Sequence, residues 1–238
     1  MSRTLQVQAA LTTAALSLFL LAGFKSAHNA HFDQITVERI DVVDKEGHRR
    51  MVISNDSRMP GPMQKGELVA PSGGRTGMIF YNEEGTEDGG LIFSGKRVGG
   101  KITAVGSLTF DQFEQDQTVA LQYVDDNGTR RAGLAITDYP TNVSIKEFMD
   151  RAREIGQMPD GPEKYTARQR FQNLRPRPRL YVGRARDDGS SIVSLSDAAG
   201  KVRLRLRVGA DGDAAIEFLD NAGHVSRRLA PSDLPSFQ

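Results

Sequence analysis

From Phe32 onward, apolar positions fall in short runs rich in Val, Ile, Leu, Phe and Thr, and clusters of acidic residues with glycine separate the runs. Alternation with a period of two predicts strands that turn one face toward a core, and the clusters predict hairpin turns. The turns are Asp44-Lys45-Glu46-Gly47, Asn82-Glu83-Glu84-Gly85, Asp125-Asp126-Asn127-Gly128, Asp187-Asp188-Gly189, Asp197-Ala198-Ala199-Gly200 and Asp220-Asn221-Ala222-Gly223. Each offers a glycine where the turn needs positive φ and an Asp or Asn to bond the turn backbone. Toward the C-terminus, Gly189, Gly200, Gly212 and Gly223 recur at intervals of 11, 12 and 11, which is the spacing of a meander. Asp197-Ala198-Ala199-Gly200-Lys201-Val202 returns 23 residues later as Asp220-Asn221-Ala222-Gly223-His224-Val225, so hairpin repeats are expected without the fixed period of a solenoid.

Between Ser144 and Arg175 the period changes. Ser144 and Glu147 make a capping box, and Ile145, Phe148, Met149, Ala152 and Ile155 share one helical face, predicting a helix to about Gln157. A second helix starts with Pro162 in its first turn and carries Tyr165, Ala167 and Phe171 before the Pro176 and Pro178 breaks. The fold class expected is all-β, antiparallel hairpins or a meander, with a short two-helix insert and an N-terminal hydrophobic helix. The divisions are 1–31 (signal peptide or signal anchor), 32–143 (N-terminal β region), 144–178 (helical insert and Pro/Arg linker) and 179–238 (C-terminal β meander). Residues 56–75, with three prolines and four glycines, read as a long loop that is either a lid or slack.

The N-terminus carries no charge between Arg3 and Lys25, around an apolar block from Ala14 to Phe24. This pattern predicts export. As a helix, residues 4–24 would be about 32 Å long, enough to cover a hydrocarbon core of about 30 Å. Both the cleaved and the anchored forms are open. Leu21-Ala22-Gly23 is followed by Phe24, so a lipid-bearing cysteine is absent there.

Composition narrows the chemistry. The 238 residues contain no cysteine, which excludes disulfides, thiolate metal sites and a cysteine nucleophile. Four histidines leave little material for a histidine metal site, and neither a Gly-x-Ser-x-Gly elbow nor a phosphate-binding glycine loop is present. No cofactor is implied. The net charge of +1 conceals a polarity: residues 164–208 carry twelve bases against three acids, whereas residues 82–126 carry nine acids against three bases. In Val202–Val208, the period of two sends Arg203, Arg205 and Arg207 to one face and the aliphatic residues to the other. That face suits an anionic lipid surface or a polyanion, unless acids of the N-terminal half neutralise it. Nucleic acid is the weaker partner, because no aromatic residues interleave with the arginines.

Two acidic groups are candidate sites. Asp111, Glu114 and Asp116 lie within six positions beside aromatic residues and offer carboxylates for acid and base work. In an extended segment Glu114 and Asp116 would share one face, and Tyr81 or Tyr123 would complete a cleft. Glu83, Glu84, Glu87 and Asp88 gather oxygens that a cation could use, although no EF-hand spacing is present.

The blocks Phe32-Asp33-Gln34-Ile35-Thr36-Val37-Glu38-Arg39-Ile40-Asp41-Val42-Val43, Gly77–Glu87 with Gly89–Phe93, and Phe110–Gln117 resemble those of a family of uncharacterised bacterial proteins with an N-terminal signal or anchor. The resemblance implies export and no activity. The leading expectation is a non-enzymatic envelope protein acting in self-assembly or partner binding. The alternatives are a ligand-binding protein or hydrolase-like enzyme using residues 111–116, and a binder of anionic surfaces through Arg203, Arg205 and Arg207.

Overall fold

A computed structural model describes residues 30–233; the segment expected to export or anchor the chain, residues 4–24, lies outside them. The body beginning at Glu38 contains, in order, β1 (Arg39–Val43), β2 (Arg49–Ser54), β3 (Met63–Gln64), β4 (Glu67–Leu68), β5 (Thr76–Tyr81), β6 (Glu87–Val98), β7 (Lys101–Asp111), β8 (Gln117–Asp126) and β9 (Thr129–Asp138). Two helices follow, α1 (Ile145–Gln157) and α2 (Pro162–Gln172). Then come β10 (Arg177–Arg184), β11 (Ser191–Ser196), β12 (Val202–Val208), β13 (Ala214–Leu219) and β14 (Val225–Leu229). Among the described residues no helix is long and apolar enough to cross a membrane.

Twelve strands form one antiparallel sheet in the order β1-β2-β5-β6-β7-β8-β9-β10-β11-β12-β13-β14, and β3 and β4 form a separate small hairpin. The expected antiparallel hairpins and the two-helix insert are both present. Arg177 and Pro178, which read as linker, begin β10, and β10 pairs with β9, so one sheet continues across the insert. The capping box at Ser144 forms as expected, and the rings of Phe148 and Phe171 stack at 4.6 Å to join the two helices.

The turn chemistry explains the meander. The Oδ1 of Asp44 accepts from the backbone N–H groups of Glu46 and His48, and Asp197 does the same for Ala199 and Lys201, as does Asp220 for Ala222 and His224. Asn82 repeats the pattern with Glu84 and Thr86. The glycine three positions after each of these residues has φ between 75° and 88°. Strict succession of strands places these four turns, the 112–116 turn and the helical insert at one end of the sheet.

Register separates the two faces. Following cross-strand partners from edge to edge gives one unbroken apolar row: Ile40, Ile53, Met78, Leu91, Leu108, Leu121, Leu134, Val182, Val193, Leu206, Ile216 and Leu229. A parallel row two residues nearer the turn end runs from Val42 through Phe80, Phe110, Leu195 and Phe218 to Arg227. No side chain of the first row is buried. The opposite face carries many small or polar residues, and it is the more buried one: Val52, Ser107, Thr109, Ala120, Ser194 and Ala215 are each under a tenth exposed.

Two causes account for that burial. The loop 55–75 folds back over the small-residue face, where Met59 joins Val52, Ile79 and Tyr81 in a core, and Lys65 and Gly66 bond Thr86 and Gly85. Strand glycines on this face also let neighbouring backbones come close. At Gly77 and Gly183, φ is 149° and 157°, and a Cβ would collide with the carbonyl oxygens of Leu91 and Ala132. Glycine is required at both.

Candidate functional site

The acidic residues meet where loop 55–75 covers the small-residue face at the turn end. Glu87 begins β6 opposite Tyr81, and Asp111 ends β7 opposite Gln117. Because β6 and β7 are neighbours, the two carboxyl groups come close together, and Asp116 of the turn between β7 and β8 adds its charge. Glu87, Thr109 and Gln117 line a cleft of about 170 Å³, with Met59, Pro60, Pro62 and Arg75 of the loop on its other side.

The electrostatics follow from this crowding. Burial pushes the Asp111 carboxyl up to about 8, and repulsion from Glu87, Asp116 and Asp88 adds to it. Burial likewise pushes Glu87 up to about 7, reinforced by Asp116 and opposed by Arg75. Tyr139, on the segment leading to α1, is raised by burial and by Asp116 and Asp111. Tyr81 is pushed up to about 12, chiefly by burial and then by Glu87. The Oδ1 of Asp111 and the hydroxyl of Tyr81 are buried without a hydrogen-bond partner. The turn itself is held by Gln112, which donates to the Tyr139 carbonyl, and by Gln115, which donates to those of Pro140 and Val143.

The structure regroups the expected residues. Glu114 does not share a face with Asp116: residues 112–116 form a turn, Glu114 has φ 55°, and its carboxylate pairs with Lys65 at 2.5 Å. Tyr81 lies beside Glu87, whereas Tyr123 stands in the adjoining row of the aliphatic face with its hydroxyl on Asp125. Glu83, Glu84 and Asp88 are exposed and Glu87 is half-buried, and among the described residues these four oxygen donors do not gather as a metal-ligand group. Among the described residues, Asp44, Glu46 and His48 bring ligand atoms within 4.8 Å of one another. They are a turn rather than a metal centre, since Asp44 already accepts two backbone N–H groups and binds Arg50.

The arginine strand follows the expected alternation, but its charges are taken up locally. Arg203 pairs with Asp197 at 2.7 Å, Arg205 with Glu217 at 3.3 Å, and Arg207 with Asp188 at 3.1 Å. The neutralising acids come from the same meander and not from the acidic N-terminal half.

The feature that alternation alone did not reveal is the aliphatic face. At its β11–β14 end, Val193, Leu206, Ile216 and Leu229 line an apolar groove of about 420 Å³, closed by Ala230 and Pro231. Compared with models of protein families, with curated proteins and with solved structures, the chain matches none.

Proposed function

We propose that this chain is a non-enzymatic protein of the cell envelope that works by association through the aliphatic face of its sheet. The observation that carries the reading is the apolar row crossing all twelve strands with no buried member. Single exposed aliphatic residues are ordinary on a protein surface, but a contiguous apolar band marks an interaction surface. Export is supported by the residue pattern of 4–24. Cross-linking in intact cells tests the reading, with full-length chain compared against the double variant Leu91→Lys, Leu121→Lys. Loss of the cross-linked species with an unchanged β circular dichroism spectrum supports it; an undiminished species removes it.

A second reading, favoured by the unpartnered Asp111 oxygen and the raised Glu87 and Asp111, is a ligand or acid/base site in the covered cleft. A protonated Asp111 would supply a proton donor there. Asp111→Asn and Glu87→Gln separate the readings, because the amides leave the aliphatic face intact.

A further inference from the structure

We infer that the cavity between the sheet and the helical insert is a binding site for a small organic anion, whose carboxylate or phosphate oxygens are held by Arg177 and Arg179. This cavity shares no lining residue with the apolar groove or with the acidic cleft, so the site stands apart from both readings above.

Pro178 sets the local geometry. Proline has no N–H to give to a ladder, so within a sheet it is confined to an edge, a strand start or a bulge. Here Pro178 faces Thr137 and Leu180 faces Ile136, which leaves Arg179 as an extra residue with no cross-strand partner. Such a bulge re-aims a side chain. Arg179 lines a cavity of about 630 Å³ with Arg177, with Asp138 at the end of β9, and with Asn142 and Asn173, where the chain enters and leaves the insert. The insert wall is tied to the 112–116 turn: Gln112 donates to the Tyr139 carbonyl, and the Ile145 N–H donates to the Glu114 carbonyl at 2.8 Å.

The donors of this cavity outnumber the acceptors that answer them. Among the described residues Asp138 is the one acid on the lining, against two guanidinium groups. It takes the Nη1 of Arg179 at 2.7 Å, and the Nε of the same side chain is buried without a hydrogen-bond partner. Arg177 gives its Nη1 to the Ala198 carbonyl at 3.5 Å, a long and weak contact. The carbonyls that end α2 supply no acceptor, because those of Arg170, Phe171 and Gln172 already accept from the N–H groups of Asn173, Leu174 and Arg175. A guanidinium offers parallel donors that match the oxygens of a carboxylate or phosphate, and these charge-assisted bonds are the strong ones. The volume is that of a small-molecule site, and Pro140, Leu174 and Ala198 give apolar contact to the rest of the molecule, which favours an organic anion over a bare ion.

Calorimetric titration of the full chain at constant ionic strength tests the site, with succinate and glycerol phosphate as probes and neutral succinamide as the control. One or both anions should bind and succinamide should not; the tighter anion tells whether carboxylate or phosphate is preferred. Arg177→Ala and Arg179→Ala should each weaken binding by about tenfold or more. Asp138→Asn should strengthen it, because the amide removes the negative charge that competes for Arg179. Arg97→Ala, near the β6–β7 hairpin at the other end of the sheet, should leave it unchanged. Arg177 is exposed, so its variant keeps the fold, and an unchanged circular dichroism spectrum verifies this for each variant. Absence of binding by both anions at millimolar concentration overturns the site. So does binding that survives the loss of both Arg177 and Arg179, or that falls as much in Arg97→Ala.

Discussion

Leu108 and Leu121 are direct cross-strand partners in the middle of the sheet, and both face solvent, at 36% and 54% exposure. A pair that would close a core in an ordinary sandwich stands here on the surface. Little burial is lost from the single chain when one of them changes. Leu121→Lys is expected to alter urea unfolding of the chain by no more than about 1 kcal/mol while reducing its association. Unfolding and light scattering on the same sample check both halves; a large stability loss would show that the face is already covered within one copy.

The acidic cleft makes stability depend on pH. Glu87 and Asp111 bind protons more tightly folded than unfolded, so their stabilising contribution is complete below about pH 4. It is lost as pH rises through their folded values of about 7 and about 8. Each group lowers stability by up to about 1.4 kcal/mol per pH unit in that window. Glu87→Gln with Asp111→Asn should flatten the profile measured by denaturant unfolding between pH 4 and 9. An unchanged slope would place the pH dependence elsewhere.

Gly183 occupies a backbone region closed to other residues, with the Ala132 carbonyl where a Cβ would sit. Gly183→Ala should therefore cost roughly 2 kcal/mol or more, whereas Gly156→Ala, in a helix with open space around it, should be neutral or stabilising. Thermal unfolding of the two variants provides the comparison.

The ion pairs of β12 are not equivalent. Glu217 is 8% exposed and depends on Arg205, so Arg205→Ala should cost about 2–3 kcal/mol by leaving a buried carboxylate. Arg203→Ala should cost less, because Asp197 keeps its two backbone donors. Binding of the chain to acidic vesicles should be weak even at low salt; strong, salt-sensitive binding lost in Arg203→Ala would restore the anionic-surface reading.

What was legible in the sequence was local. Asp44, Asp197 and Asp220 announced hairpins because side chain and glycine act within five residues, and Ser144 and Glu147 announced a helix start for the same reason. The cleft was half legible. Asp111 and Asp116 stood out together, but Glu87 lies 24 positions before Asp111 and read as part of a separate acidic run. Strand order supplies the missing signal: in a meander the 82–86 and 112–116 turns share one end, and so do the residues flanking them. Which face would be buried was not legible, because alternation separates the faces without saying what covers either. The small side chains and close-approach glycines of one face, together with loop 55–75, decided that outcome.

Every strand of the large sheet pairs only with its predecessor and successor in that sheet, and apart from the loop 55–75 and the helical insert the connections are short. Contacts are therefore close along the chain, and the ordering entropy of each new strand is offset at once by a neighbour already in place. Such a sheet assembles as a zipper and can begin at any hairpin. Its cooperativity decays with distance, so β14 can fray without disturbing β1, and a hairpin gained or lost at either edge alters length rather than architecture.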